Sequence, residues 1–559
     1  MTTQVGTADK IAVSEDRKIR RVILGTSAGT IFESYDFILF GSLAPVISQH
    51  FFSGVNETAG FIFALMTFAA GFAIRPLGAL LFGRIGDRRG RKGTFLVTLI
   101  LTGLSTFLIG TLPTYASVGI LSPILLIAMR LVQGLAFGGE YGGAVIYMAE
   151  HSPKERRGFF TGWIQTSMGF GIFISLVVIL ATRTLMGEAV FQDWGWRVPF
   201  LISIFLLVCS VWIRLKLEES PVFQKMKREG AQSRTPLREA FLEWKNLRLV
   251  LVALFGLMAP YGVLWYTAHF YTQFFLDRIL KVDPTTVNWI MILVTGVGIF
   301  QYVFFAWLSD KVGRKRVMLC GMVVGTLTLL PFFHIMTNAA NPALARAQEA
   351  APVVVAADPH ICSVQFDPIG QASFNSSCDI AKGYLAGRGI SYDNAQLGQG
   401  DRTLVQVGDV VVPSVDGRGL APEALAKARA DFQARLGKVL ADAGYPERAA
   451  PEEINMALVM LVILIGVTSA NAIFGPIAAT LVELFPTRIR YSALSLPYHI
   501  GAGWFGGFLP ATAFAMVAGS GNIYFGLWYP FVIGLIGIVV LLFLVPETRD
   551  RDLDTVSTG

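Results

Sequence analysis

Apolar stretches of roughly 20 residues or more recur twelve times, at about residues 20–47, 59–82, 94–113, 117–148, 158–182, 197–214, 249–276, 286–308, 316–337, 454–482, 492–517 and 523–545. A helix of about 20 residues crosses about 30 Å of hydrocarbon, and in lipid every backbone polar group must be satisfied within its own segment. The stretches therefore predict an all-α, multi-pass membrane protein with twelve transmembrane helices. The short alternating segments of a transmembrane barrel do not occur. Composition agrees, since 53% hydrophobic and 15% charged residues with a mean hydropathy of +0.56 do not suit a soluble surface. The polar start MTTQVGTADKIAVSEDRKIRR, followed by a run that contains Glu33 and Asp36, is unlike a cleaved signal peptide. The first span is expected to be retained.

Charge sets the expected orientation. Arg17, Lys18, Arg20 and Arg21 precede the first span, Arg84 to Lys92 follow the second, and Lys154, Arg156 and Arg157 follow the fourth. The loop 215–248 is rich in Lys and Arg, and Lys311, Arg314, Lys315 and Arg316 follow the eighth span. Loops 48–58 and 518–522 carry neither residue. By the positive-inside bias both termini and the central loop are cytoplasmic. The net charge of +7 is thus spread over short loops rather than gathered in a patch for nucleic acid.

The basic string GRIGDRRGRK at 83–92 returns as SDKVGRKR at 309–316, aligning Asp87, Gly90, Arg91 and Lys92 with Asp310, Gly313, Arg314 and Lys315. EHSPKERRG at 150–158 likewise matches ELFPTRIRYS at 483–492. Two six-helix halves, an internal duplication, follow from these pairs. The first pair is offset by about 220 residues and the second by about 330, so about 110 extra residues lie between spans 8 and 10, far beyond ordinary loop lengths. The expected layout is an N-terminal bundle 1–214, a cytoplasmic loop 215–248, a C-terminal bundle 249–337 with 454–559, and an insertion 338–453 on the periplasmic side.

GRIGDRRGRK, RLVQGLAFGGEYGGA at 130–144, FESYDF in the first span, GWRVPF at 195–200 and EESPVF at 218–223 together resemble the major facilitator superfamily. The resemblance is narrower still to its metabolite:proton symporters, which include α-ketoglutarate, shikimate, citrate and proline/betaine permeases. It covers the chain except 338–453. It implies alternating access by two bundles driven by inward proton flow, and a gating role at Asp87, Arg88 and Arg91. The family tends to have other polar residues where His499 stands, which leaves the substrate class open.

Intramembrane carboxylates are costly and face a cavity or a partner. Glu33 and Asp36, three apart on one helical face, are candidates for proton or substrate coupling; a permanent salt bridge would also satisfy them. Arg75 and Arg130 are their cationic counterparts, with forks that fit a carboxylate, and Arg75 is close enough to the basic string to serve a gate instead. Tyr266 and His269 in YGVLWYTAHFYTQFF, with His499 as expected partner of His269, complete the central candidates, because His titrates near neutral pH. Glu140 in GGEYGG, Asp87, Arg88, Arg91, Asp310 and Arg314 are expected to gate, with Glu140 pairing with a basic loop. No Cys or His pair has metal-ligand spacing, and no phosphate-binding GxxxxGK[ST] occurs, so neither a metal, another cofactor nor ATP is expected.

Within the insertion, Cys362 and Cys378 are expected to form a disulfide, TLVQVGDVVV reads as β-structure, and Leu425, Phe432, Leu436, Val439 and Leu440 form one apolar stripe. A small folded cap is the result. The chain reads as a non-enzymatic, monomeric, bacterial inner-membrane symporter of protons and a small organic acid, in a lipid bilayer without nucleic acid. The alternatives are uptake of a zwitterion such as betaine or proline, efflux, and a transporter-like receptor using its cap. The long coiled-coil tail that the resemblance associates with the proline/betaine permease is not expected after PETRDRDLDTVSTG.

Overall fold

The computed structural model describes residues 26–36, 39–53, 57–215, 219, 221–230, 233–363 and 374–553. Twelve helical rods make up its two halves. The N-terminal half holds α1 (26–36, 39–42 and Ala44–Phe51), α2 (Glu57–Arg89), α3 (Arg91–Thr111), α4 (Leu121–His151), α5 (Arg157–Met186) and α6 (Arg197–Leu215). The C-terminal half holds α7 (Trp244–Ile279), α8 (Pro284–Val312), α9 (Arg314–Leu327 and Leu329–Ala340), α10 (Met456–Leu484), α11 (Arg490–Tyr498, His499–Gly506 and Leu509–Ser520) and α12 (Trp528–Phe543). Eight helices among the described residues are long and apolar enough to cross a membrane, or nine if the bent α9 is one span.

Burial runs opposite to a soluble protein. Large apolar side chains stand exposed on α3, α6, α9 and α12, as at Leu104, Phe205, Leu327 and Phe543. Those faces meet lipid. In contrast, α4 from Ala136 to Glu150 and α10 from Ser469 to Leu484 are buried at every position, polar residues included.

The basic strings fold as tight helix reversals. α2 runs through Asp87 to Arg89, and Gly90 at φ 123° turns the chain into α3; Gly313 at φ 105° does the same between α8 and α9. Only glycine holds that conformation cheaply. Three rods depart from regular α-helix: α9 bends by 52°, α7 stays one continuous span but contains π-helical turns around and beyond Pro260, and α11 contains them just after Pro497. Proline removes a helical hydrogen bond and crowds the preceding turn, which accounts for the π-helical turn Leu254–Met258 just before Pro260.

Between α9 and α10 stands an α/β unit. β1 (Val353–Ala357) pairs in parallel with β2 (Tyr392–Gln396) and antiparallel to β3 (Leu404–Val407), which turns at Gly408 into β4 (Val410–Pro413). Helix Ser377–Gly387 makes the crossover, and helix Pro422–Asp442 buries Phe432, Leu436 and Leu440, with Leu425 and Val439 half-buried. Cys362 and Cys378 are joined by a disulfide. The unit docks on the C-terminal half: Tyr392 N–H donates to the Gly521 carbonyl (2.8 Å), Asn394 Nδ2 to Ser520 (2.6 Å), Lys281 Nζ to Gly387 (2.7 Å) and Asn341 Nδ2 to Leu280 (2.9 Å).

Candidate functional site

The polar interior of the N-terminal half is built in two layers. In the first, Asp36 on α1 is fully buried and accepts a hydrogen bond from Gln133 Nε2 on α4. Gln133 also donates to Thr106 Oγ1 on α3 (3.0 Å) and accepts from Arg130 Nη1. Arg130 lies 4.0 Å over the Phe40 ring. Asp36 and Arg130 are therefore linked through an amide rather than by a direct salt bridge, so each can change partner without the whole network collapsing.

The second layer lies nearer the helix reversals. Glu140 on α4, fully buried, pairs with Arg214 Nη2 from α6 at 3.1 Å, and the Arg214 guanidinium also caps the Phe95 ring at 3.5 Å. Gly29 on α1 makes the room, since a Cβ there would overlap that guanidinium. Glu33 stands one helical turn along from Gly29, within electrostatic reach of Glu140, Arg75 and Arg214. It makes no hydrogen bond among the described residues. Arg75 on α2 is sandwiched between Phe72 (4.3 Å) and Phe137 (4.6 Å), and α2 approaches α4 closely because a Cβ on Gly138 would strike the Arg75 carbonyl.

The C-terminal half contributes aromatic rather than charged groups. Tyr498 stacks on Tyr141 across the halves at 3.6 Å, Tyr261 stacks on Phe474, and Trp265 Nε1 donates to Tyr302 Oη (3.0 Å). Tyr266 packs against Phe270 and the Gly506 backbone region. His269 and His499 do not pair. His269 Nδ1 lies 3.0 Å from the Trp265 carbonyl of its own helix, whereas His499 Nε2 lies 3.0 Å from the Gly138 carbonyl of α4. π-helical turns begin in α11 at His499, whose ring reaches across the interface between halves, which sequence spacing does not reveal.

At the helix reversals the halves lock in a reciprocal pattern. Asp87 at the end of α2 accepts from Tyr491 N–H (3.1 Å), Ser492 N–H (2.9 Å) and Ser492 Oγ (2.8 Å) at the start of α11. Asp310 at the end of α8 accepts from Gly158 N–H (2.8 Å) and Phe159 N–H (2.7 Å) at the start of α5. Each carboxylate meets the positive end of a helix in the other half. Glu150 pairs with Arg490 (2.7 Å) and Glu483 with Arg157 (2.9 Å), again crossing the interface. Arg314 braces Glu483 (2.8 Å) and Asp310 (2.9 Å) from within the C-terminal half.

The candidates thus separate by place. Asp87 and Asp310 bridge the halves; Arg314 supports that bridge; Arg88 is exposed at the end of α2, and the side chain of Arg91 lies outside the described residues. Glu140, expected to pair with a basic loop, pairs instead with Arg214 inside its own half. Sequence reasoning missed Arg214, which stands in the last turn of a span and looks like a topology charge. It also missed Gln133, three residues from Arg130 on the same face, and Glu150, Arg157, Glu483 and Arg490, all within the repeated strings.

A family model described as "Sugar (and other) transporter" matches residues 22–247 and 441–559. The chain belongs to that family. This transporter is 37% identical over 322 residues to the shikimate transporter of Escherichia coli K12, covering 56% of the present chain and 72% of that protein. It is 33% identical to the E. coli K12 proline/betaine transporter (59% and 67% covered) and 31% identical to the α-ketoglutarate permease of the same strain (61% and 78%). Among solved structures, the major facilitator proton:xylose symporter XylE of E. coli, bound to 6-bromo-6-deoxy-D-glucose, aligns with a TM-score of 0.62 at 15% identity, covering 97% of this chain and 99% of that one. The fold is the major facilitator fold, and the relatives are transporters rather than enzymes.

Proposed function

We propose that this transporter is a proton-coupled symporter that takes up a small organic acid by alternating access. The observation that carries the reading is the buried Asp36–Gln133–Arg130 chain. A carboxylate tied to a guanidinium only through an amide can be protonated as the guanidinium turns to an anionic solute. Arg75 supplies a second cation near Tyr266 and His499. Relatives named for shikimate and α-ketoglutarate support a carboxylate substrate.

The reading includes a site and a setting. Glu33, Asp36, Arg75, Arg130, Tyr266, His269 and His499 face substrate or proton; Asp87, Arg88, Arg91, Asp310 and Arg314 belong to the cytoplasmic gate. Both termini and loop 215–248 lie on the cytoplasmic side of a bacterial inner membrane, residues 1–214 and 249–337 with 454–559 form the two bundles, and 338–453 is a periplasmic cap. The cap's disulfide supports that side. The locked helix reversals then correspond to a state with the cytoplasmic exit shut. The transporter acts as a monomer.

A zwitterionic osmolyte is the second reading. Glu33, with no hydrogen bond among the described residues, and the stacked Tyr141 and Tyr498 rings would suit a quaternary ammonium. Purified transporter in liposomes, given an inward proton gradient and labelled shikimate, α-ketoglutarate, betaine and proline, separates the two. Accumulation of a carboxylate that vanishes in Arg130→Ala, with folded yield retained, supports the acid reading. Gradient-dependent accumulation of betaine or proline alone refutes it.

A further inference from the structure

Between the two buried layers of the N-terminal half runs a file of acids that reaches from the central site to the Arg214–Glu140 pair. On α1, Gly29 meets the Arg214–Glu140 pair and Asp36 meets Gln133, a spacing of seven residues or about 10 Å of helix. On antiparallel α4, Gln133 and Glu140 are also seven apart, so the layers lie in register, and Glu33 stands between them on α1. Each layer keeps one carboxylate oxygen uncommitted: Asp36 Oδ1 and Glu140 Oε2 are buried and accept no hydrogen bond among the described residues. Glu33 accepts none from the described residues. A buried carboxylate oxygen without a donor is costly, and two of them one layer apart, with the Glu33 carboxylate between them, form a set of steps rather than separate defects.

We propose that Asp36, Glu33 and Glu140 form a proton ladder through the N-terminal half, with Arg214 as the positioning residue at its inner end. The proposal rests on the symport reading above and names residues that reading does not require. A proton taken up at Asp36 passes to Glu33. The O–H bond at Glu33 then breaks, leaving its carboxylate, while a new O–H bond forms at Glu140 Oε2. Arg214 keeps Glu140 charged and oriented until that transfer, and the proton leaves Glu140 toward the helix-reversal side. The groups that face Glu33 are Asp36 on α1, Arg75 on α2, Glu140 and Tyr141 on α4, Arg214 on α6 and Tyr498 on α11. Two of them are guanidiniums, so the rung beside them is never surrounded by acids alone.

The test compares two transport modes in proteoliposomes with labelled shikimate and labelled α-ketoglutarate. Counterflow exchanges solute for solute and needs no net proton passage, whereas accumulation does. An inward gradient of one pH unit supports about a tenfold accumulation per coupled proton. Glu140→Gln and Arg214→Gln are expected to lose that tenfold ratio while keeping counterflow, and Arg214→Lys to recover part of it. Accumulation by Glu140→Gln equal to wild type overturns the ladder and leaves the symport reading standing. Parallel loss of both modes at normal folded yield assigns the pair to architecture and also overturns it. A wild type that accumulates neither probe refutes the symport reading and the ladder together. Where Arg214→Gln does not fold, Glu140→Gln and Arg214→Lys carry the same comparison.

Discussion

Replacing Asp87 by Asn tests whether the helix-reversal contacts set the balance between the two states of the transporter. The Asp87 carboxylate accepts three hydrogen bonds, from two backbone N–H groups and one hydroxyl at the start of α11. Asn keeps one accepting oxygen and turns an NH2 group toward the remaining donors. Hydrogen bonds to a charged group contribute about 1.5–3 kcal/mol, and a charge at a partly buried helix terminus up to about 2 kcal/mol. Since some of the loss is recovered by the oxygen that stays, a net cost of about 2–3 kcal/mol to the locked state is expected. That converts to about a 30- to 150-fold shift toward the unlocked state, enough to move an equilibrium between states of similar energy from one side to the other. Spin labels at the exposed positions Glu155 and Arg316, one in each half, report the separation of the halves by double electron–electron resonance. Asp87→Asn should populate a longer distance. A distribution that superimposes on wild type in liposomes would refute the reasoning, because the reciprocal contact at Asp310 would then hold the halves unaided.

Two further outcomes follow from local structure. Cys362→Ser opens a loop of 16 residues, so the cap should unfold about 3 kcal/mol more easily in urea while the membrane bundles keep their melting behaviour; an unchanged cap midpoint counts against this. Gly313→Ala imposes a side chain at φ 105° and drives its Cβ toward the Glu547 carboxylate, lowering stability by about 1–3 kcal/mol in a detergent melt, whereas Gly296→Ala, with open space around it, should be near neutral.

The spans were legible because hydrocarbon thickness imposes one length on every crossing helix. Gly90 and Gly313 were legible for a different reason: a reversal at positive φ restricts the residue that can make it. The reciprocal acids and arginines were half legible, since Glu150 and Glu483 stand in the repeated strings, yet their partners lie more than 300 residues away in the opposite half. Arg214 was not legible. Its position at a span end fits a topology charge, and only the space left by Gly29 lets its long side chain fold inward. The π-helical turns of α11 were equally hidden, because they keep the apolar composition of an ordinary span. In the insertion, the β3–β4 hairpin and the stripe on Pro422–Asp442 were visible from pattern, but β1 and β2 pair across a crossover helix and need tertiary partners to declare themselves.

The docking bonds of the α/β unit described above all end at the non-reversal ends of α7 and α11, at Leu280, Lys281, Ser520 and Gly521, within a single bundle. Under the alternating-access reading proposed above, the unit rides as a passenger bolted to one side of a hinge. A binder clamped to the unit alone would ride along without braking turnover, whereas one that also gripped the loop between α1 and α2 would jam the machine.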